Sequence, residues 1–474
     1  MTQQKDESKA FLPDLIYTGG QFERGLALVC DSAGRITRLA REVEISCEVI
    51  HLKGRAMLPG LVNSHSHAFQ RVIRGRTEHR SQEAKDSFWT WREMMYSAAG
   101  RLGPEDIYDA SRMAFLEMAQ SGVTAVGEFH YLHRDAHGKA YDNPNLLAKE
   151  VIRAARDVGL RIALLRVAYA RAGYGVAPDE RQQRFIEAEP EIYLRNLARL
   201  KDDLARDVDE RESAWAGLAP HSIRAVPLDY LREVSAYADE HRLPLHMHVA
   251  EQPAENAACL REHSRTPVAL LADENILSER FTGVHAVHIT EDEARALGRA
   301  NAIVCACPTT ERNLGDGIVP AQMLLQHGVR VAFGTDSHTQ IDLLEDAREL
   351  EYHLRLANLE RNVLAPVSEN VSALAAQLFA GATIHGAASI GATGGALEAG
   401  RPADFFTVDL QDSSIAGASQ ADLLSGIVFS LARTAVRDVF VGGRRIVEDG
   451  RHPVQDEVVG KFVALQRRLW EGND

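Results

Sequence analysis

Four apolar stretches of the sequence end in side chains that can hold a metal ion or move a proton. Pro59-Gly-Leu-Val-Asn-Ser-His-Ser-His67 ends in His65 and His67. Leu245-His-Met-His-Val-Ala-Glu251 ends in His246, His248 and Glu251, and Val284-His-Ala-Val-His288 carries His285 and His288. Phe333-Gly-Thr-Asp-Ser-His338 adds Asp336 and His338. His65 and His67 are two apart, so an extended backbone turns both imidazoles to one side, within reach of one ion. His248 supplies a third nitrogen. Asp336 closes an apolar run with a carboxylate, which is expensive to bury unless paired or bound to metal. Three imidazoles and one carboxylate suit zinc, iron(II) or another first-row divalent ion. Any one of these histidines could be an ordinary hydrogen-bonded core residue; four such groups recurring at strand ends argue for a site.

The elements that must position them alternate. Strand-like runs fall at Met57–Val62, Val123–Gly127, Leu160–Val167, Ala214–Leu218, Leu243–Val249, Gly283–Val287, Ala302–Ala306 and Val329–Gly334. Helix-like segments lie between them, among them Asn145–Val158 and Pro104–Gln120, which opens with proline followed by acids, a helix-start signal. Eight β/α alternations predict an α/β fold, a (β/α)8 TIM-like barrel with its reactive groups at the C-terminal ends of the strands. No glycine-rich phosphate-binding fingerprint follows any strand, against a nucleotide-binding open sheet. The two ends of the chain differ from the middle. Short β-like pieces at Asp14–Gly20, Gly25–Cys30 and Val43–Ile50 are matched by Ala403–Asp409 and Val436–Val447. They predict one small β-sandwich domain assembled from residues 1–58 and 393–474 around a barrel over 59–392.

Composition narrows the class. The chain has 474 residues, 45% hydrophobic and 25% charged, with a net charge of −14, values of a globular protein with a full core. The negative balance argues against nucleic acid or an anionic membrane as partner, since both are polyanions. It leaves room for a small anionic substrate held by a few local arginines. The five cysteines are scattered, so no disulfide framework is expected, and Cys305 and Cys307 read as ordinary buried residues. The first ten residues lack an apolar signal core and no run approaches a membrane span. The expectation is a cytoplasmic protein. The acidic runs Asp202–Glu212 and Glu345–Glu351 read as solvated helix faces, and Trp89 and Trp91 either cap the pocket or pack.

Leu58-Pro-Gly-Leu-Val-Asn-Ser-His-Ser-His67, His248-Val-Ala-Glu251, His285 and Gly334-Thr-Asp336 together resemble the metal signature of the amidohydrolase superfamily, over nearly the whole chain. Gly400–Asp409 resembles that family's return into its β-sandwich. Binuclear members carry a bridging lysine at strand four; Gly217-Leu-Ala-Pro-His221 has none, which implies a single ion held by His65, His67, His248 and Asp336, zinc first and iron(II) second. The His-x-x-Glu at strand five is the mark of the deaminase branch. Within it, the segments His65–Arg71, Gly127–His133, Pro220–Arg224 and Pro308–Asp316 resemble the formimidoylglutamate deiminases of histidine degradation.

That resemblance implies hydrolysis of a formimino group on glutamate, with Glu251, His285 and Asp336 as catalytic residues. His285 and Asp336 would orient or deprotonate the water, and Glu251 would protonate the departing nitrogen. Arg224 and Arg92, with Tyr131, would hold the side-chain carboxylate, His221 the α-carboxylate, and Gln70 the formimino group. A homodimer is implied on the same ground. Arg312 departs from the small residue expected in the loop after strand seven, and pointing inward it would alter substrate fit. Two other readings stay open on the sequence. One is a deaminase of guanine or an adenosine-like substrate, which would favour stacking rings over paired arginines. The other is a catalytically silent scaffold, which would be expected to have lost ligands.

Overall fold

The computed structural model describes residues 9–42, 47–79, 87–177, 179–207 and 213–471. The N-terminal eight residues, the Val43–Ser46 part of the third β-like piece and the 208–212 end of the first acidic run lie outside the described residues. Five strands open the chain: β1 (Lys9–Thr18), β2 (Gln21–Glu23), β3 (Ala27–Cys30), β4 (Ile36–Ala40) and β5 (Glu48–Pro59). Eight parallel strands follow: β6 (Leu61–Ser66), β7 (Val123–His130), β8 (Arg161–Ala168), β9 (Ala214–Pro220), β10 (Leu245–Val249), β11 (Phe281–His285), β12 (Ile303–Ala306) and β13 (Arg330–Phe333). Then β14 (Phe405–Asp409), β15 (Val436–Val441) and β16 (Arg444–Val447) return to the first sheet.

The eight parallel strands pair in sequence order and alternate with helices, forming the (β/α)8 barrel. It closes through a parallel bridge between Ser66, at the end of β6, and Asp336, just beyond β13. Strands covered on both faces read as continuous apolar runs, and every residue of β7 is buried. The second sheet has the order β16-β15-β14-β5-β1-β3-β4, with β2 paired to β1, so the chain ends meet where β14 runs antiparallel to β5. Phe11, Phe405 and Phe440 pack its core, with ring centroids 4.5–5.1 Å apart.

The Met57–Val62 run proves to be two strands in two sheets. Its first half ends β5, and the chain crosses at Gly60, whose N–H donates to the Asp404 carbonyl at 3.0 Å. Only glycine fits there, because a Cβ would lie 2.2 Å from Thr124 Oγ1. The C-terminal stretch also holds a helix, Gln455–Trp470, which buries Val458, Phe462, Leu465 and Leu469. It is fastened to the barrel helix Pro104–Gln120 by Arg112–Glu457 at 2.8 Å and by an Arg468–Asp106 ion pair. The second acidic run is not wholly solvated. Asp346 and Glu351 are fully buried, Asp346 accepting from Thr309 N and Oγ1, and Glu351 from the amides of Val363 and Leu364. Backbone donors on neighbouring segments drew these carboxylates inward. Among the described residues no helix is long and apolar enough to cross a membrane.

A buried ion pair is rooted in a barrel strand. Arg166 on β8 is fully buried, its guanidinium bonded to both Glu187 oxygens and to Asn145 Oδ1 at 2.9 Å. Burial alone would raise the Glu187 carboxyl; Arg166 outweighs it and holds it down at about 2. A folded value below the unfolded one (about 4.3) stabilises the protein above that pH and is lost as pH falls toward 2. Arg166→Met would strand a buried carboxylate and is expected to lower unfolding free energy by about 3–5 kcal/mol near neutral pH. Urea denaturation of the two proteins checks this, and the gap should shrink in acid.

Candidate metal centre and active site

β6 delivers His65 and His67, β10 delivers His248, and the turn after β13 delivers Asp336, all buried at the C-terminal mouth of the barrel. One ligand atom from each lies within 4.8 Å of every other. His65 Nε2 is 3.2 Å from both His67 Nε2 and His248 Nε2, and Asp336 Oδ1 is 3.3 Å from His67 Nε2 and 3.5 Å from His65 Nε2. His67 Nδ1 faces the Phe129 carbonyl at 3.0 Å and His248 Nδ1 the His221 carbonyl at 3.1 Å. A carbonyl only accepts, so both rings carry hydrogen on Nδ1 and turn Nε2 lone pairs inward. Burial pushes His65 and His248 well below the ordinary histidine range, with neighbouring histidines adding to it. Burial lowers His67 as well, against the pull of Asp336. Neutral imidazoles with lone pairs converging at 3.2 Å beside a carboxylate repel one another unless a cation lies between them. The donor set fits one divalent ion.

The proton-handling groups border this set. His285 Nε2 lies 3.7 Å from both Glu251 Oε1 and Asp336 Oδ2, and its Nδ1 lies 3.2 Å from Glu311 Oε1. Burial opposes charge on His285, but Glu251, Glu311 and Asp336 outweigh it and raise the imidazole well above its usual range. Burial raises the Glu251 carboxyl too. Three further buried carboxyls stand here that the sequence reading did not single out. Glu311 also accepts the Cys307 N–H at 2.9 Å. Glu255 accepts the Glu251 N–H at 3.2 Å and is raised to about 7 by burial. Asp316 accepts from Gln252 and is raised to about 9, again by burial first. Glu311 and Asp316 fall inside the Pro308–Asp316 motif, but nothing in their spacing distinguishes them from surface acids. The backbone is left-handed at Ala250, His285, Ala286, Asp336 and His338. Such strain in non-glycine residues gathers at functional sites.

The residues read as substrate contacts surround the same centre. Gln70 Nε2 donates to Tyr131 Oη at 2.8 Å, and the Tyr131 ring lies 5.2 Å from that of His67. His221 packs 4.9 Å from the His248 ring and 4.8 Å from Tyr169. Arg92 Nη2 donates to Tyr169 Oη at 3.2 Å, its guanidinium lying over Trp89 and Tyr96. Burial depresses His221 far below its usual range, and the charges of Arg224 and Arg92 depress it further. Arg224 Nη1 is buried with no hydrogen-bond partner among the described residues. Trp89, Arg92, Tyr96 and Gln182 line an outer cleft of ≈ 620 Å³. Arg312 is held by Glu349 at 2.8 Å and Gln340 at 3.1 Å, and with Trp91 it borders a separate cleft. The remaining histidines bond elsewhere: His246 with the Ser389 carbonyl, His288 with that of Asp316, and His338 with Ser66 and Thr335. Cys305 and Cys307 are buried with their sulfurs 4.0 Å apart.

Comparison with known proteins agrees with this arrangement. Residues 56–446 match the sequence model of the amidohydrolase family. A formimidoylglutamate deiminase of Pseudomonas aeruginosa is 39% identical over 417 residues, covering 88% of this chain and 90% of that protein. A 5-methylthioadenosine/S-adenosylhomocysteine deaminase of Pyrococcus abyssi is 26% identical over 455 residues, covering 95% and 97%. Among solved structures, an amidohydrolase from Brucella melitensis superposes with a TM-score of 0.87 at 33% identity, covering 97% of this chain and 99% of that one.

Gly334 sets the approach of the last strand to the first. A Cβ there would meet His65 Cβ at 2.7 Å, the His65 carbonyl oxygen at 2.9 Å and Cys305 Sγ at 3.0 Å. Gly334→Ala must therefore push His65 and Asp336 apart. Elemental analysis of the purified variant should find well under the metal content of the wild type.

Proposed function

This chain belongs to the amidohydrolase family, as a hydrolytic deaminase, and from that premise we propose that it converts N-formimino-L-glutamate to N-formyl-L-glutamate and ammonia. The observation that carries the substrate is the unpartnered guanidinium nitrogen of Arg224. The charges of Arg224 and Arg92 both act on His221, and the buried Arg224 Nη1 lacks a partner among the described residues. A guanidinium held out of water with a free N–H is suited to a carboxylate, which accepts it as a charge-assisted pair. The 39% identical deiminase supports the same assignment.

His65, His67, His248 and Asp336 would hold the ion, read as zinc with iron(II) as the alternative. A bound divalent cation lowers the pKa of water and polarises the group under attack. His285 and Asp336, 3.7 Å apart, orient the water: His285, held charged by its carboxylate neighbours, donates to it, and Asp336 takes its proton. Oxygen bonds to the formimino carbon, the bond from that carbon to the imino nitrogen breaks, and a carbonyl remains. Glu251, raised by burial, holds the proton that the leaving nitrogen takes as ammonia. Gln70 addresses the formimino group, Arg224 and Arg92 with Tyr131 the side-chain carboxylate, and His221 the α-carboxylate. A cytoplasmic homodimer acting in histidine degradation goes with this reading, on the resemblance alone.

The deciding measurement is ammonia release from N-formimino-L-glutamate, guanine, adenosine and N-guanidino-L-glutamate by metal-loaded protein. The formimino compound should be preferred by a wide margin; preference for a purine would sink the substrate and leave the fold and the deaminase class standing. Glu251→Gln should keep its metal while kcat falls by roughly 10²–10⁴; full activity would remove Glu251 from the mechanism. Arg224→Met should raise KM severalfold or more, and an unchanged kcat/KM would exclude that contact.

A further inference from the structure

Beneath the metal-ligand group, a chain of hydrogen bonds crosses the barrel seam through five buried side chains. Asn63 Nδ2 lies 2.7 Å from Thr335 Oγ1, and Thr335 Oγ1 lies 3.1 Å from His338 Nδ1. His338 Nε2 is 3.1 Å from Ser66 Oγ, which is 2.5 Å from Glu128 Oε2. The other Glu128 oxygen accepts the Ala68 N–H at 2.8 Å. Asn63 and Ser66 lie on β6, Glu128 lies on β7, and Thr335 and His338 flank Asp336. The chain therefore joins the segments that carry His65, His67 and Asp336.

Its Asn63 end fixes the direction of every bond. Asn63 Oδ1 faces the backbone N–H groups of Thr335 at 3.1 Å and His65 at 3.4 Å, which only donate. The amide nitrogen must then face Thr335 Oγ1 and donate to it. Thr335, accepting there, donates its hydroxyl hydrogen to His338 Nδ1. His338 is thereby the tautomer with hydrogen on Nε2, which donates to Ser66. Ser66, accepting from His338, has its own hydrogen left for Glu128 Oε2, to which it donates. One polarity satisfies the whole row, and aligned hydrogen bonds strengthen one another.

The geometry assigns Glu128 as a positioning residue: the terminal acceptor that completes this row from Ser66 and the Ala68 N–H and so helps hold His65, His67 and Asp336 in their converging arrangement. The left-handed backbone at Asp336 (φ 46°) and His338 (φ 61°) needs such support, because non-glycine residues keep it only where their surroundings over-determine it. The assignment rests on the metal reading of the proposed function and is independent of the substrate. Glutamine at this position would keep the shape but turn a donor toward Ser66. Ser66 would then donate to His338 Nε2, His338 to Thr335, and Thr335 would aim its hydrogen at the Asn63 amide nitrogen, itself a donor. Asn63→Asp in the same chain removes that conflict by supplying an acceptor, and the row runs in reverse.

The test titrates full-length apo-protein with Co(II) against a competing chelator and records the visible absorption of the bound ion. It compares wild type, Glu128→Gln and Glu128→Gln/Asn63→Asp. Glu128→Gln should bind Co(II) roughly 10–100-fold more weakly and with an altered spectrum, and the double variant should regain most of both. Wild-type affinity and spectrum in Glu128→Gln would overturn the assignment, as would a double variant no better than the single one. Should Glu128→Gln prove insoluble, the double variant decides: a soluble, Co(II)-binding protein supports the assignment and an insoluble one overturns it. A wild type that binds no Co(II) would remove the metal reading itself and this assignment with it.

Discussion

Two backbone hydrogen bonds, from the Asp336 N–H to the His65 carbonyl and from the His67 N–H to the Asp336 carbonyl, both 3.1 Å, join the first barrel strand to the last. The residues that make this seam are themselves metal-ligand candidates, so closing the barrel and assembling the centre are one event. Gly334 lets the strands approach, and the side chains of Asn63, Ser66, Thr335 and His338 stitch them together below. His248 then completes the set from β10, and its ring position is fixed in turn by the His221 carbonyl. A barrel with the same strands in a slightly different register would keep its core and lose this convergence.

The charge arrangement divides the mouth of the barrel into regions. Histidines kept neutral by burial hold the centre, carboxyls raised by burial lie on the side of Glu251, Glu255 and Asp316, and guanidiniums lie on the side of His221. The net charge of −14 describes the exterior and says nothing of this division.

Much of this was legible in the sequence because barrel chemistry sits at strand ends, where a polar residue closing an apolar run stands out. His65, His67, His248, Glu251, His285 and Asp336 all carry that signal. The carboxyls of Glu255, Glu311 and Asp316 do not, since an acid in a helix or loop looks the same whether water or a backbone amide receives it. Asp346 and Glu351 show the same blindness in the other direction: read as solvated, they are buried on backbone donors. The split of Met57–Val62 was hidden because two buried strands joined by a single glycine make one unbroken apolar run. The helix Gln455–Trp470 was readable from Val458, Phe462, Leu465 and Leu469 at helical spacing, but the neighbouring β-like pieces drew attention from it.

The sheet built from both chain ends bears on how the protein is made. Residues Arg55–Pro59 of β5 pair with Phe405–Asp409 of β14. On a ribosome adding about 5–20 residues per second, that partner emerges on the order of tens of seconds after β5 does. Until then the nascent chain carries an open strand edge, the kind of surface that pairs with other chains. The order of synthesis therefore leaves this edge of β5 without its native partner through most of translation, a state invisible in the finished fold.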